Sequence, residues 1–212
     1  MASRGLLVRM HAKHGKDGAI EEFLHSALPL IQDETSTVAW FAVRFGRSDY
    51  GIFGVFPDDA ARDAHLAGPV ISALTQRAGE YFETAPRVQK LDVLADKLPV
   101  VSTYPDTKGL LLTFKAKPHH EQDVEQFFRY AHDVVNAEHN TTAWFAMRTD
   151  DGQYGIFDVF PNNEDRFMHL VGHVPRELAK QAFTLMGSMP ELEMLSIHAE
   201  KIGADTHRIA RH

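Results

Sequence analysis

Sliding this 212-residue chain along itself by 104 positions lays one half on the other. Ala39-Trp40-Phe41-Ala42 falls on Ala143-Trp144-Phe145-Ala146, and Tyr50-Gly51-Ile52-Phe53 falls on Tyr154-Gly155-Ile156-Phe157. Val55-Phe56-Pro57 falls on Val159-Phe160-Pro161, and His65-Leu66 on His169-Leu170. The offset holds without a gap from Gly5/Gly109 to Lys97/Lys201. A fixed internal period is read before any other feature. At about a hundred residues the repeat is the size of a domain, so the pattern indicates a duplicated domain and not a solenoid.

Each copy shows the same succession of periodicities. Gly5 to Ala12 and Gly109 to Ala116 read as strands. Ile20, Phe23, Leu24, Ala27 and Ile31 then recur at helical spacing, matched by Val124, Phe127, Phe128, Ala131 and Val135. Pro118 sits just ahead of the second of these helices, where a first-turn proline is tolerated. A strand pair follows. Thr37 to Phe45 is rich in aromatic and β-branched residues, Gly46-Arg47-Ser48-Asp49 breaks it, and Tyr50 to Phe56 returns. In the second copy the break contains Asp151-Gly152, a hairpin signal because both turn positions favour positive φ. Asp58 and Asn162 are good N-caps for a second helix, which is expected to bend at Gly68-Pro69 and run to about Ala78. Val88 to Ala95 and Leu192 to Ala199 read as closing strands.

The order β-α-β-β-α-β is that of a ferredoxin-like unit, with an antiparallel sheet and both helices on one face. Trp40, Ala42 and Arg44 point one way along their strand, and Phe41, Val43 and Phe45 the other. Substantial side chains on both faces imply a sheet buried on both. The fold expected is therefore α+β, two tandem ferredoxin-like units packed sheet to sheet about an internal pseudo-two-fold axis. Residues 1–98 and 109–203 form the repeats. Residues 99–108, with Pro99 and Pro105, are an extended crossover, and 204–212 a loose tail.

Composition narrows the function. A net charge of -7 and the lack of a basic run argue against a nucleic-acid partner. With no cysteine there is neither disulfide nor thiolate chemistry. No apolar stretch reaches the roughly 18 residues of a membrane span. The apolar stretch after Met1-Ala2-Ser3-Arg4 is too short for a signal sequence. A soluble cytoplasmic protein without a membrane partner is the expectation. Neither G-x-G-x-x-G nor a P-loop is present, so no flavin or nicotinamide phosphate site is expected.

Trp40-Phe41-Ala42-Val43-Arg44, Tyr50-Gly51-Ile52-Phe53, Phe56-Pro57 and Arg62-x-x-His65-Leu66 resemble the antibiotic biosynthesis monooxygenase domain family. The second copy carries Trp144-Phe145-Ala146-Met147-Arg148, Tyr154-Gly155-Ile156-Phe157, Phe160-Pro161 and Arg166-x-x-His169-Leu170. The resemblance covers almost the whole chain and implies a dimeric α/β barrel with its partner inside the same chain. Its activity range spans quinol monooxygenases, isomerases, haem-degrading enzymes and proteins with no assigned reaction. It implies a cofactor-independent monooxygenase acting on a small aromatic, quinol or polyketide-like molecule. An isomerase using the same pocket, or a non-catalytic ligand-binding barrel, is the alternative.

On that reading Arg44 and Arg148 stabilise a developing enolate or phenolate, and His65 and His169 take a proton. Trp40, Tyr50, Trp144 and Tyr154 bind substrate, their N–H and O–H groups hydrogen-bonding its oxygen. The same residues also suit pure packing: Trp and Tyr fill sheet surfaces, and an arginine in an apolar strand needs an anion. Asp165, His169 and His173 follow metal-like i, i+4, i+8 spacing, but Gly172 and Pro175 should break the helix, and the first copy has Ala61 and Pro69 at matching positions. No metal is expected. Thr75 and Ala179 stand where a haem ligand would be sought, so no haem is expected either. Gly54 is matched by Asp158, which would make the two pockets unequal if both face them. A further homodimer is left open.

Overall fold

A computed structural model describes residues 2–98 and 106–203. The first copy runs β1 (Arg4–His11), α1 (Asp17–Asp33), β2 (Ala39–Arg44), β3 (Asp49–Phe56), α2 (Asp59–Leu66), α3 (Pro69–Tyr81) and β4 (Arg87–Lys97). The second repeats it as β5 (Lys108–Lys115), α4 (Glu121–Ala137), β6 (Ala143–Thr149), β7 (Gln153–Phe160), α5 (Asn163–Leu170), α6 (His173–Leu185) and β8 (Glu191–Ile202). Element starts keep the 104-residue offset throughout. The fold is α+β, with antiparallel strand pairing in each copy. No helix among the described residues is long and apolar enough to cross a membrane.

The chain divides into two compact units that share the two long strands. Unit one runs to Leu91 and resumes at Ser196; unit two is Asp92–Leu195. Each unit therefore takes one half of β4 and one half of β8. In unit one β3 lies between β1 and β2, and β2 pairs on its other side with the end of β8, Ala39 opposite Ile202 and Arg44 opposite Ser196. In unit two β7 lies between β5 and β6.

The local chemistry accounts for the boundaries. Asp58 and Asn162 cap α2 and α5 by accepting from the backbone N–H groups of Ala61 and Asp165. The expected bend at Gly68-Pro69 is a full break, because Pro69 takes the first turn of a separate helix, α3. Pro118 lies in the turn before α4 and not in its first helical turn, since the N-cap is His120. Gly152 takes φ +79° at the β6–β7 turn, but Asp151 does not share the positive φ expected of both turn positions; the Gly152 N–H instead closes a turn by donating to the Thr149 carbonyl. The last strands run beyond the expected Ala95 and Ala199, to Lys97 and Ile202. The Pro99–Pro105 crossover and the tail from 204 lie outside the described residues.

Both faces of β2 are buried. Trp40 and Ala42 join Ile20, Leu24 and Leu74 in the helix-side core of unit one, while Phe41 meets Phe53 on the opposite face at 6.4 Å between ring centres. Unit two repeats this with Trp144 and Ala146 among Val124, Phe128 and Leu178, and with Phe145 beside Phe157. Burying each such aromatic or leucine is worth about 1.5–3 kcal/mol, so these faces hold the sheet and helices together.

Candidate active site

In unit two the face of β7 toward the helices carries Tyr154, Ile156, Asp158 and Phe160 in alternation, all buried. Asp158 stands across from Leu110 on β5 and Trp144 on β6. A cavity of about 570 Å³ opens here, within the range of small-molecule sites. Its floor is Leu110, Leu112, Trp144, Ile156, Asp158 and His169. Its wall is the α6 face of Val174, Leu178 and Ala182, and its mouth holds Phe183, Met189 and Leu192.

Three polar groups meet this apolar space. His169, near the end of α5, is buried against the Phe160 ring at 5.1 Å. Its Nδ1 pairs with Glu138 Oε2 at 3.0 Å, and the Thr141 hydroxyl donates to the same carboxylate oxygen at 2.7 Å. With Nδ1–H donating to Glu138, Nε2 is turned toward Asp158 Oδ1, 3.8 Å away. That distance exceeds a hydrogen bond, and Asp158 Oδ1 has no hydrogen-bond partner. The indole N–H of Trp144 is buried and equally unsatisfied. Unpaired buried polar atoms are rare, and each calls for a reason.

Burial and neighbouring charges shift each of these groups. Burial lifts the Asp158 carboxyl to about 6; His169 opposes that rise and Glu138 adds to it. For His169 burial works downward, but the Asp158 and Glu138 carboxylates outweigh it and its pKa is raised. Burial would raise Glu138, yet the hydrogen bonds from His169 and Thr141 prevail and hold it below the usual carboxylate range. Glu138 therefore stays ionised and orients the imidazole, while Asp158 is poised to exchange a proton near pH 6.

The structure brings two of the four residues expected in this copy, Trp144 and His169, into the cavity. Tyr154 shares the helix-side face but sits four residues back along β7 from Asp158, about 13 Å away at strand rise, and Arg148 lies opposite it on β6. Arg148 pairs with Asp92 at 3.1 Å and Glu125 at 3.5 Å, and Tyr154 donates to Glu125. In unit one Arg44 pairs with Glu21 at 2.9 Å and donates to the carbonyls of Gly46 and Arg47. The Tyr50 hydroxyl donates to Asp17 and Glu21, and burial with those bonds pushes its pKa well above the ordinary range. These cations meet their anions within the fold. Asp165, His169 and His173 do not share a helix: His173 opens α6 and bonds Tyr130, and Asp165 bonds Asn162.

Unit one keeps half of the constellation. His65 Nδ1 pairs with Glu34 at 2.7 Å, Thr37 donates to Glu34, and Trp40 is fully buried with its N–H unsatisfied. Gly54 takes the place of Asp158, where an added Cβ would lie 3.1 Å from the Phe56 ring. Phe82 replaces Met186 and is buried in one cluster with Val8, Trp40 and Leu74. The Glu34-x-x-Thr37 and Glu138-x-x-Thr141 recurrence is the sequence signal for the carboxylate behind each histidine.

No family model and no curated protein matches the chain. Among solved structures, a provisionally named monooxygenase from Fusobacterium nucleatum is similar over 95% of this chain and 95% of its own, with TM-score 0.85 at 13% identity. A protein of unknown function from Nitrosomonas europaea is 44% identical over 48% of this chain and 98% of its own, with TM-score 0.46. A ferredoxin-fold protein from Listeria monocytogenes, related to antibiotic biosynthesis monooxygenases, matches 93% of this chain and 95% of its own, with TM-score 0.56 at 5% identity. This chain has the ferredoxin-like fold of these proteins. The tandem repeat supplies that fold twice, and the cavity with Asp158 and His169 is built by the second copy's helices and strands.

Proposed function

We propose that unit two is a cofactor-independent monooxygenase site for a small hydroxylated aromatic molecule. One observation carries this reading: a buried carboxylate with an unsatisfied oxygen lies beside a glutamate-oriented histidine at the floor of an apolar cavity. A substrate hydroxyl answers both unsatisfied groups, donating to Asp158 and accepting from the Trp144 N–H.

Asp158 takes the proton of the substrate, and His169, held by Glu138, shares it and stabilises the charge. The carboxylate does the work expected of histidine from sequence. The resulting anion is electron-rich enough to reduce dioxygen directly. At a ring carbon the step balances as phenol + O2 → quinone + H2O: the hydroxyl proton and one ring C–H hydrogen leave in the water, one oxygen atom stays on the ring carbon as C=O, and the other leaves as water. The apolar walls keep bulk water from quenching the anion.

An oxygen electrode read across a panel of quinols and polyphenols tests this, with ¹⁸O2 to trace the atom inserted. Uptake with one labelled oxygen in the product is expected. Proton exchange at a carbon acid without uptake would replace this reading with an isomerase.

A further inference from the structure

The mouth of the cavity differs from its floor in a way that the duplication makes legible. Phe183 and Met189 line it yet are 90% and 87% exposed, and Leu192 beside them is 50% exposed. At the matching positions the first copy has Gly79, Ala85 and Val88. The same fold therefore forms without large apolar side chains at the first two positions. Phe and Met in water gain nothing for the fold, and clustered exposed apolar surface marks a binding function. Here that surface is continuous with the cavity wall of Val174, Leu178 and Ala182.

We propose, building on the phenolic reading above, that the ligand carries a flexible apolar tail. Its hydroxylated ring sits at Asp158 and Trp144, and an alkyl chain leaves along α6 and covers Phe183 and Met189. The ligand class is a long-chain alkylphenol or alkylhydroquinone. The tail, and not a second protein, is the occupant of the exposed patch, because the patch is the outer end of the same apolar channel. Glycine at the position equivalent to Phe183, and Phe82 in place of Met186, deny the first copy both the channel and its rim.

The test is calorimetric titration of the intact chain, without oxygen, using 4-alkylphenols from ethyl to decyl and the matching alkylbenzenes. Kd should fall about fourfold for each methylene that becomes buried, then level off once the tail passes the mouth. Phe183→Ser and Met189→Ser, both at exposed positions, should flatten the slope for octyl and longer chains and weaken their binding far more than that of ethylphenol. A hydroxyl preference with no dependence on tail length would overturn the tail. A tail slope with phenols and alkylbenzenes bound equally would overturn the phenolic head and the reading it rests on. A chain that sediments as a dimer, and becomes monomeric in Phe183→Ser, would show the patch to be a self-interface and overturn the proposal.

Discussion

Asp158 makes the strongest demand on its surroundings. A carboxylic acid normally ionises near pH 4; burial lifts this one to about 6. Its folded pKa lies above its unfolded value, so the folded state holds the proton more tightly. Stability linked to this group is full below about pH 4 and is lost as pH rises through about 6. The penalty at pH 7 is at most about 3 kcal/mol, from roughly two pKa units at 1.36 kcal/mol each. Asp158→Asn keeps the shape and cannot ionise. It should melt several degrees above the parent at pH 7, with the gap closing near pH 4; a pair of thermal melts at the two pH values reads this directly. The parent keeps a residue that weakens its fold where copy one keeps glycine, which is the pattern of a residue held for function.

Strands and helices were the most legible part of the sequence. Period-two and period-3.6 patterns located the strands and the first helix of each copy because both faces of β2 and β6, and one face of α1 and α4, bury apolar side chains, while α2 and α3 read as one bent helix. The recurring Tyr-Gly-Ile-Phe motif is a fold requirement. A Cβ at Gly51 would lie 2.6 Å from the carbonyl oxygen of Val8, and one at Gly155 2.9 Å from that of Leu112. Such constraints are preserved in both copies. The proposed site rests on what differs between copies, at Gly54/Asp158, and on a glutamate that only folding brings to His169. The lengths of β4 and β8 were underestimated for a related reason. Their last turns are fixed by tertiary bonds: Lys201 donates to the carbonyls of Ile31 and Glu34 at the end of α1, and Lys97 to those of Val135 and Glu138 at the end of α4. Each ammonium adds a charged donor to carbonyls at a helix C-terminus, where the helix dipole favours a cation. Lys201→Met should cost about 1–3 kcal/mol, the worth of two such bonds, and lower Tm by several degrees with ligand affinity in unit two unchanged.

Taken whole, the chain is a duplicated fold whose proposed site lies in the second copy. Both copies retain the Glu–His pair, and the second joins it to a buried carboxylate at an apolar cavity. Calorimetry should therefore find one tight ligand per chain, and two equal sites would contradict that placement. The most direct test is substrate-dependent dioxygen consumption by three proteins: the parent, Asp158→Asn and His65→Gln. Loss of a general base costs about 10²–10⁴ in rate. Asp158→Asn should fall by that amount while its fold persists, and His65→Gln should keep the parental rate. Asp158→Asn turning over as fast as the parent would contradict the account.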